Sequence, residues 1–391
     1  MKTIYLDNAA STPIRDEVFC AMLPFLQETY GNPSSIHHKG RAAYDALSTA
    51  REEVARDIGA HGKEIIFTSG GTESNNLALH GVMKNVRHRK SHILVSAIEH
   101  VSVLASAEDL RGEGCDEEYI PVDTYGLVSV KEVMTRVRAD TALISIMYAN
   151  NEIGTVEPIA EIAKALRDRF GADRPLLHTD ACQAPGQLPL DVTTLGVDLM
   201  TLNGSKMYGP KGVGMLYVRE GVRFTPTARG GHQEHGMRAG TENLAGIVGF
   251  ARALTLAEED QTHECARLIN LRDTLITRIQ KSFPDATLHG HPTLRLPGNV
   301  HFSFPHIEGE SLVLLLDTFG ICASTGSACN AEDLVPSHVL RAIGISVERI
   351  HGTLRFTLGR TTTEADIDTT VDALTHAVTR LTRISPSPLH L

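Results

Sequence analysis

Apolar runs alternate with stretches of helical periodicity between residues 41 and 218. In residues 41–58, for example, Leu47, Ala50 and Val54 recur at the spacing of one helix face. Strands and helices that alternate in this way are typical of a mostly parallel sheet with helices on both faces. We therefore expect an α/β fold. The predicted strands of this sheet are 64–67, 92–97, 142–149, 176–179, 198–202 and 213–218.

A second unit is expected toward the end of the chain, with strands and helices of its own. The elements predicted for it are strands 299–304 and 353–358 and helices 309–319 and 363–383. A long helical stretch, 244–281, precedes them and breaks at Pro284. We therefore expect a large domain over residues 16–260 and a smaller α+β domain made of residues 1–15 and 261–391.

Composition and charge narrow the class of function. The chain has 391 residues, of which 42% are hydrophobic and 21% charged, enough for about two or three domains. Lys and Arg total 37 and Asp and Glu total 47, which gives a net charge of −10. Because no basic block is present, we expect no direct binding to nucleic acid. The N-terminal residues contain no apolar run, so we expect a cytoplasmic protein without a membrane span.

The cysteines and histidines give little sign of a metal site. The six cysteines are scattered and form no C-x-x-C pair, which disfavours zinc and redox dithiols and leaves a working thiol as an option. His232 and His235 have the spacing of a helical ligand pair, but they lie among glycines without an acid at ligand spacing. We therefore expect no catalytic metal.

A glycine-rich loop follows the first strand of the sheet, at residues 68–75. Gly70 and Gly71 allow close backbone approach, the N–H groups of the next helical turn point outward, and Thr72 adds a hydroxyl donor. These are the features of a phosphate-binding loop. Taken alone, such a loop is more often an ordinary turn with a helix cap.

An acid stands at the carboxyl end of another predicted strand, where ligands bind in parallel sheets. Asp180 can pair with a protonated ring nitrogen, and Gln183 can donate to an oxygen on the same ring. An N-cap for the following turn is the alternative interpretation of Asp180.

A lysine lies between two glycine-containing turns just after a further strand. Lys206 has the position of a reactive amine, because a strand end that faces a cleft removes water from the ammonium group. A surface lysine in a Gly-Pro loop is the alternative. Together, the loop, Asp180 and Lys206 are what pyridoxal 5'-phosphate requires: a phosphate cup, an acid for the ring nitrogen and an amine for the aldehyde.

With these residues in order, the chain resembles the cysteine desulfurases, which are class V aminotransferase-like enzymes of fold type I that depend on pyridoxal phosphate. The resemblance runs nearly from end to end. The matching segments are 5–13, 31–35, 68–75, 99–100, 150–154, 180–183, 208–214, 237–241, 324–329 and 355–360. The predicted smaller domain would then carry the catalytic-cysteine loop.

The resemblance implies roles for residues around the cofactor ring and the substrate. His100 would stack on the ring and help to move protons, and Asn151 would contact the ring hydroxyl and the substrate. Arg355 would hold the substrate carboxylate, for which a bidentate guanidinium is suited. Thr241 would reach the phosphate of the other subunit, which implies a homodimer.

Cys329 matches the family's sulfur-accepting cysteine and stands among small residues in a loop. This loop resembles the branch of the family in which it is long. The reaction implied is conversion of L-cysteine to L-alanine, with a persulfide on Cys329 that passes to a sulfur-acceptor protein. Iron–sulfur cluster assembly, tRNA thiolation and DNA phosphorothioation all begin with this reaction.

The chain departs from the family pattern just before the lysine. Where the family usually has Ser or Thr followed by Gly-His, this chain has Asn203, Gly204 and Ser205. Asn203 would donate to the phosphate from an amide, and Ser205 takes the place of an imidazole beside the lysine. These departures keep open a partner-activated sulfur-transfer scaffold with weak activity of its own. A selenocysteine lyase would have the same cofactor site, and an ordinary aminotransferase would not need Cys329.

Overall fold

The structure is a computed structural model that describes residues 3–86, 89–326 and 336–384. The strands are β1 (Ile4–Tyr5), β2 (Ile65–Thr68), β3 (His92–Ser96), β4 (Asp116–Ile120), β5 (Thr141–Ser145), β6 (Leu176–Asp180), β7 (Leu199–Asn203), β8 (Gly214–Val218), β9 (Thr287–Leu288), β10 (Asn299–Ser303), β11 (Ile321–Cys322) and β12 (Thr353–Thr357). The helices are α1 (Asp16–Gln27), α2 (His38–Asp57), α3 (Gly71–Val86), α4 (Val101–Gly112), α5 (Val130–Arg136), α6 (Ile159–Phe170), α7 (Val192–Leu195), α8 (Leu244–Ser282), α9 (Gly309–Thr318), α10 (His338–Ala342), α11 (Val347–Ile350) and α12 (Glu364–Ile384).

The central sheet of the described residues has seven strands in the order β2-β8-β7-β6-β5-β3-β4. Strands β7, β6, β5, β3 and β4 pair in parallel, whereas β8 runs antiparallel to both β2 and β7. The expected α/β fold with a mostly parallel sheet is confirmed. The antiparallel β8 was not expected, because an apolar run carries no information on strand direction.

Side chains of this sheet alternate between two hydrophobic clusters, one on each face. In β2, Ile65 and Phe67 join the cluster that contains Phe250 of α8, and Ile66 between them joins the cluster that contains Leu79 of α3. Because both faces are covered, the strands contain few polar residues, and this is why the sequence predicts them well.

The edge strand β4 was missed by the sequence analysis. Its residues include three consecutive acids, and most of the strand is exposed or half-buried. An edge strand packs on one side only, so its sequence lacks the apolar run by which the other strands are recognised.

A separate hydrophobic cluster forms around the three-stranded antiparallel sheet β12-β10-β9. It contains Leu6 from the N-terminal segment, Phe302 and Phe356 from the sheet, and Leu275 from the second half of α8. The N-terminal segment also adds β1 to β11 as a parallel pair. Helix α8 ends at Ser282, just before Pro284, as expected, and its 39 residues contribute to both units. The domain boundaries remain a prediction.

None of the helices in the described part of the chain is both long and apolar enough to cross a membrane.

Candidate active site

Several predicted site residues lie at the carboxyl ends of strands of the central sheet, where a parallel sheet places its ligands. The Gly70 turn follows β2, His100 follows β3, and Asp180 ends β6. The predicted residues that line one cleft are Gly71, Thr72, His100, Asn151, Asp180, Gln183, Asn203, Lys206 and Arg355. Ala9 and Ala10 of the N-terminal segment and Gly326 also border this cleft.

The turn between β2 and α3 forms a cup that has no room for a larger side chain. A Cβ atom on Gly71 would lie 2.7 Å from the Sγ of Cys182 and 3.6 Å from the Cβ of Asn203. Gly70 has a φ of +152°, in the region that favours glycine. Gly71 is the first residue of α3, so the free N–H groups of that helix open beside the cleft. The cup fits an anion such as a phosphate.

Asn203 and Ser205, where the chain departs from the family pattern, hydrogen-bond to each other. The Oδ1 of Asn203 accepts from both the backbone N and the Oγ of Ser205, each at 3.3 Å. The Nδ2 of Asn203 therefore remains on the side of the cup, 3.7 Å from a Cβ placed on Gly71. This amide can donate to an anion in the position where the family has a hydroxyl.

His100 is joined to Asp180 by a chain of buried hydrogen bonds. The Nδ1 of His100 contacts the Oγ of Ser102 at 2.8 Å, and Ser102 accepts from the Nδ2 of Asn75 at 2.9 Å. The same Nδ2 donates to the Oδ2 of Asp180 at 2.6 Å. Because the backbone N of Ser102 also donates to Nδ1 of His100, that nitrogen is an acceptor and the ring proton lies on Nε2. Burial lowers the pKa of His100 and favours this neutral form.

Asp180 is fixed as a buried carboxylate that faces the cleft. Only 5% of the residue is exposed, and its Oδ1 accepts from the backbone N of Cys182 at 2.9 Å. An acid oriented in this way can hold a protonated ring nitrogen. Burial and the neighbouring Asp180 raise the pKa of the Cys182 thiol well above its ordinary value, so this thiol is a poor nucleophile.

The amine of Lys206 points at the N-terminal segment. Its Nζ donates to the carbonyl oxygens of Ala9 at 2.8 Å and Ala10 at 2.6 Å, and these residues border the cleft. The Nε2 of Gln183 also donates to Ala9, at 3.1 Å. The two side chains therefore meet at one carbonyl, although they come from the ends of different strands.

Arg355 also lines the cleft and is held in place by contacts to the protein. Its Nη2 pairs with the Oδ1 of Asp7 at 2.8 Å, and its Nη1 donates to the carbonyls of Asn151 at 2.9 Å and Gly326 at 3.3 Å. The Nε is buried without an acceptor among the described residues. A guanidinium has five N–H donors, so after three contacts it retains donors for a carboxylate.

Three predicted site residues in the described part of the chain do not line this cleft: Thr241, and Gly70 and Ser205, each of which is next in sequence to a residue that does. Thr241 lies exposed in the loop before α8 and does not border the cleft. Cys329 lies outside the described residues. The roles assigned to these residues stay predictions, as do the roles of the residues that line the cleft.

Other residues, which were not predicted from the sequence, orient the predicted ones. Asn75 and Ser102 connect His100 to Asp180, and Asp7 fixes Arg355. Glu99, fully buried beside His100, accepts from the backbone N of Met147, and burial raises its pKa. Asp7, Asn75 and Glu99 lie inside the matched segments, but nothing in the sequence separates an orienting residue from its neighbours.

Comparison with known proteins gives consistent matches along the whole chain. The family model described as aminotransferase class-V matches residues 4–370. The chain is 48% identical to the cysteine desulfurase IscS of Dictyoglomus turgidum over 385 residues, which cover 98% of this chain and 97% of that protein. It is also 48% identical to the cysteine desulfurase IscS of Methanosarcina thermophila, over 98% of this chain and 94% of that protein.

Solved structures agree with these matches. A structure titled NIFS-like protein superposes with a TM-score of 0.91 at 36% identity and covers 97% of this chain and 100% of its own. A structure titled SspA in complex with cysteine superposes with a TM-score of 0.80 at 34% identity, over 91% of this chain and 99% of its own.

Proposed function

The chain belongs to the cysteine desulfurases of the aminotransferase class-V family, and from this premise we propose that it converts L-cysteine to L-alanine and transfers the sulfur to Cys329. The observation that carries the proposal is one cleft that joins an anion cup, a buried acid, a lysine amine and a rigid guanidinium. The guanidinium suits the carboxylate of a small amino acid. The anion cup, the acid and the amine suit the phosphate, the ring nitrogen and the aldehyde of the cofactor that must act on it.

The cleft suits pyridoxal 5'-phosphate. The cup of Gly70, Gly71 and Thr72, with the amide of Asn203, would hold the phosphate. Asp180 would pair with the ring nitrogen, and Lys206 would supply the amine for the aldehyde. The remaining cofactor contacts proposed are His100, Asn151, Gln183 and Ser205. When bound, this cofactor supplies an acceptor for the electrons released at the substrate's α-carbon.

Substrate binding and proton transfer are assigned to separate residues. Arg355 would bind the carboxylate of L-cysteine through the donors that its protein contacts leave over, and Asn151 would contact the substrate beside it. Lys206, freed from the cofactor by the incoming amino group, would take the α-proton. His100, neutral with its proton on Nε2, would stack on the ring and relay protons.

The sulfur step conserves atoms and electrons. The Cys329 thiolate attacks the sulfur of the substrate, the bond between that sulfur and the β-carbon breaks, and the β-carbon leaves with the electron pair and is protonated. The products are L-alanine and a persulfide on Cys329, which a sulfur-acceptor protein then takes. Thr241 would complete the phosphate site of a second subunit in a homodimer.

The test is release of alanine from L-cysteine by the purified protein with a thiol reductant. Wild type is expected to form alanine, and Lys206→Ala and Cys329→Ser are expected to form none. Cys182→Ser is the matched control, because its thiol borders the same cleft but has a raised pKa. Protein that carries the cofactor but forms no alanine without an added partner would refute the proposal and favour the scaffold.

The same assay with L-selenocysteine separates the desulfurase from a selenocysteine lyase. A desulfurase is expected to lose turnover of L-cysteine in Cys329→Ser. A lyase would turn over L-selenocysteine without Cys329 and leave L-cysteine unchanged.

A further inference from the structure

A buried carboxylate lies next to both ends of the segment that carries Cys329. Glu152 is 5% exposed and follows Asn151 of the cleft, yet none of the steps above uses it. Its Oε2 accepts from the Oγ of Ser337 at 2.6 Å. The same Oε2 lies 3.8 Å from a Cβ placed on Gly326. In sequence, Gly326 comes three residues before Cys329 and Ser337 comes eight residues after it.

Gly326 is confined on several sides. Its φ of +96° is one that other residues rarely adopt, and a Cβ there would lie 2.9 Å from the Nε2 of buried His301. Its N–H donates to the Oγ of Ser324, and its carbonyl accepts from Arg355. Gly326 is therefore held in place by the residue that would bind substrate.

Ser337 is confined from the other side. Its Oγ accepts from the backbone N of Leu340 at 3.2 Å, which makes Ser337 the N-cap of α10. A hydroxyl that accepts at the cap can still donate its proton, and this proton goes to Glu152. The next residue, His338, contacts the carbonyl of Glu99 through its Nε2 at 2.8 Å. The start of α10 is thus tied to the residue before His100.

The backbone of Glu152 is itself immobilised. Its N–H donates to the Oδ1 of Asn150 at 2.9 Å, and its carbonyl accepts from the Nδ2 of Asn299 at 3.1 Å. Burial raises the pKa of Glu152, so a carboxyl is retained here at a desolvation cost. The net gain from one hydrogen bond to a hydroxyl is small, and it does not explain why an acid stands where an apolar residue would pack.

We propose that Glu152 is a positioning residue for sulfur transfer: it holds Ser337 beside Gly326, and so fixes the two points between which the chain carrying Cys329 runs. A thiol tethered between fixed points meets the substrate sulfur at a higher effective concentration than one whose tether shifts. This inference rests on the proposed function. It assigns Glu152 no contact with substrate or cofactor.

The experiment compares two reactions of the same holoenzyme preparation. Formation of alanine from L-cysteine needs Cys329, whereas exchange of the α-proton of L-alanine in D2O needs only the cofactor, Lys206 and the carboxylate site. Glu152→Ala is expected to lower kcat for alanine formation about tenfold, the factor that corresponds to loss of about 1.4 kcal/mol. The KM for L-cysteine and the exchange rate are expected to stay within about twofold of wild type.

Conservative variants show whether the hydrogen bond between Ser337 and Glu152 is responsible for the change in kcat. Glu152→Gln retains a side-chain oxygen that can accept from Ser337, so its kcat should recover to within about threefold of wild type. Ser337→Ala should reproduce the loss, and Ser337→Thr, which keeps the hydroxyl, should restore the rate. The double variant Glu152→Ala/Ser337→Ala should be no slower than the slower single variant, because both remove one contact.

An equal fall in the rates of both reactions would mean that Glu152 supports the whole cleft. Unchanged alanine formation would mean that the contact between Glu152 and Ser337 has no role in sulfur transfer. Either result overturns the inference. If Glu152→Ala does not fold, Ser337→Ala and its Thr partner decide the question through the same two reactions. Failure of wild type itself to form alanine from L-cysteine, with proton exchange intact, would instead contradict the proposed function.

Discussion

Replacement of Arg355 by lysine tests how the cleft binds its substrate. The guanidinium is 3% exposed and makes three contacts to protein: to Asp7, to the carbonyl of Asn151 and to the carbonyl of Gly326. Its Nε has no acceptor among the described residues. Lysine keeps the charge but loses the planar fork, so it cannot keep these contacts and also bind a carboxylate through two parallel hydrogen bonds.

The size of the effect follows from the bonds that are lost. A hydrogen bond to a charged group contributes about 1.5–3 kcal/mol, and Arg355→Lys removes at least one such bond to the substrate carboxylate. We therefore expect kcat/KM for L-cysteine to fall by about 10- to 150-fold. Most of the fall should appear in KM, because the carboxylate does not change during the reaction.

Steady-state kinetics of alanine formation measure this effect, and cofactor absorbance shows whether the site is still loaded. The control is Arg349→Lys, a half-buried arginine whose Nη1 contacts the Oγ1 of Thr287 and which does not border the cleft. That control should change kcat/KM by less than about twofold. If Arg355→Lys left KM within about twofold of wild type with the cofactor bound, the guanidinium would not be the carboxylate site.

Three further changes probe the cup, the buried acid and the stability of the fold. Gly71→Ala places a Cβ 2.7 Å from the Sγ of Cys182, and this overlap should cost about 1–3 kcal/mol. We expect the variant to lose the cofactor on dialysis. Adding Cys182→Ala to the same chain removes the overlap and should restore cofactor retention. Asp180→Asn replaces the carboxylate that accepts from Asn75 with a neutral amide. Because the negative charge is lost, alanine formation should fall about 100-fold. The far-ultraviolet circular dichroism spectrum should stay unchanged. Burial raises the pKa of Glu157 from 4.5 to about 8. As the pH rises, Glu157 therefore ionises in the unfolded chain before it ionises in the folded one. The resulting loss of folding stability begins at about pH 4.5 and is complete above about pH 8. Glu157→Gln should therefore raise the melting temperature more at about pH 9 than at about pH 5, and an equal change at both would contradict the sign of this pKa shift.

The fold was largely predictable because its strands are buried on both faces. The run at residues 64–67 matches β2 to within one residue, since Ile65, Ile66 and Phe67 pack into apolar clusters on both faces of the sheet. The edge strand β4 and the reversed direction of β8 were not predictable, because the first has an exposed, acidic sequence and the second depends on its neighbours.

The site residues also fall into two groups, those that can be recognised from adjacent residues and those whose role depends on distant contacts. Lys206 and Asp180 stand in short motifs whose chemistry can be recognised from adjacent residues. Asp7 acts on a residue 348 positions away, and Glu152 acts on one 185 positions away, so their contacts exist only in the fold. The carboxylate of Glu152 is indistinguishable by sequence from an ordinary polar residue after Asn151.

The sulfur-accepting role of Cys329 is the central claim, and mass spectrometry of the protein after one turnover tests it most directly. Holoenzyme is mixed with one equivalent of L-cysteine without reductant, alkylated and digested, with Cys182→Ser and Cys329→Ser treated in parallel. The account predicts one added sulfur atom on the Cys329 peptide of wild type and Cys182→Ser, with alanine formed in equal amount. An added sulfur on another cysteine, or alanine formed by Cys329→Ser, would contradict it.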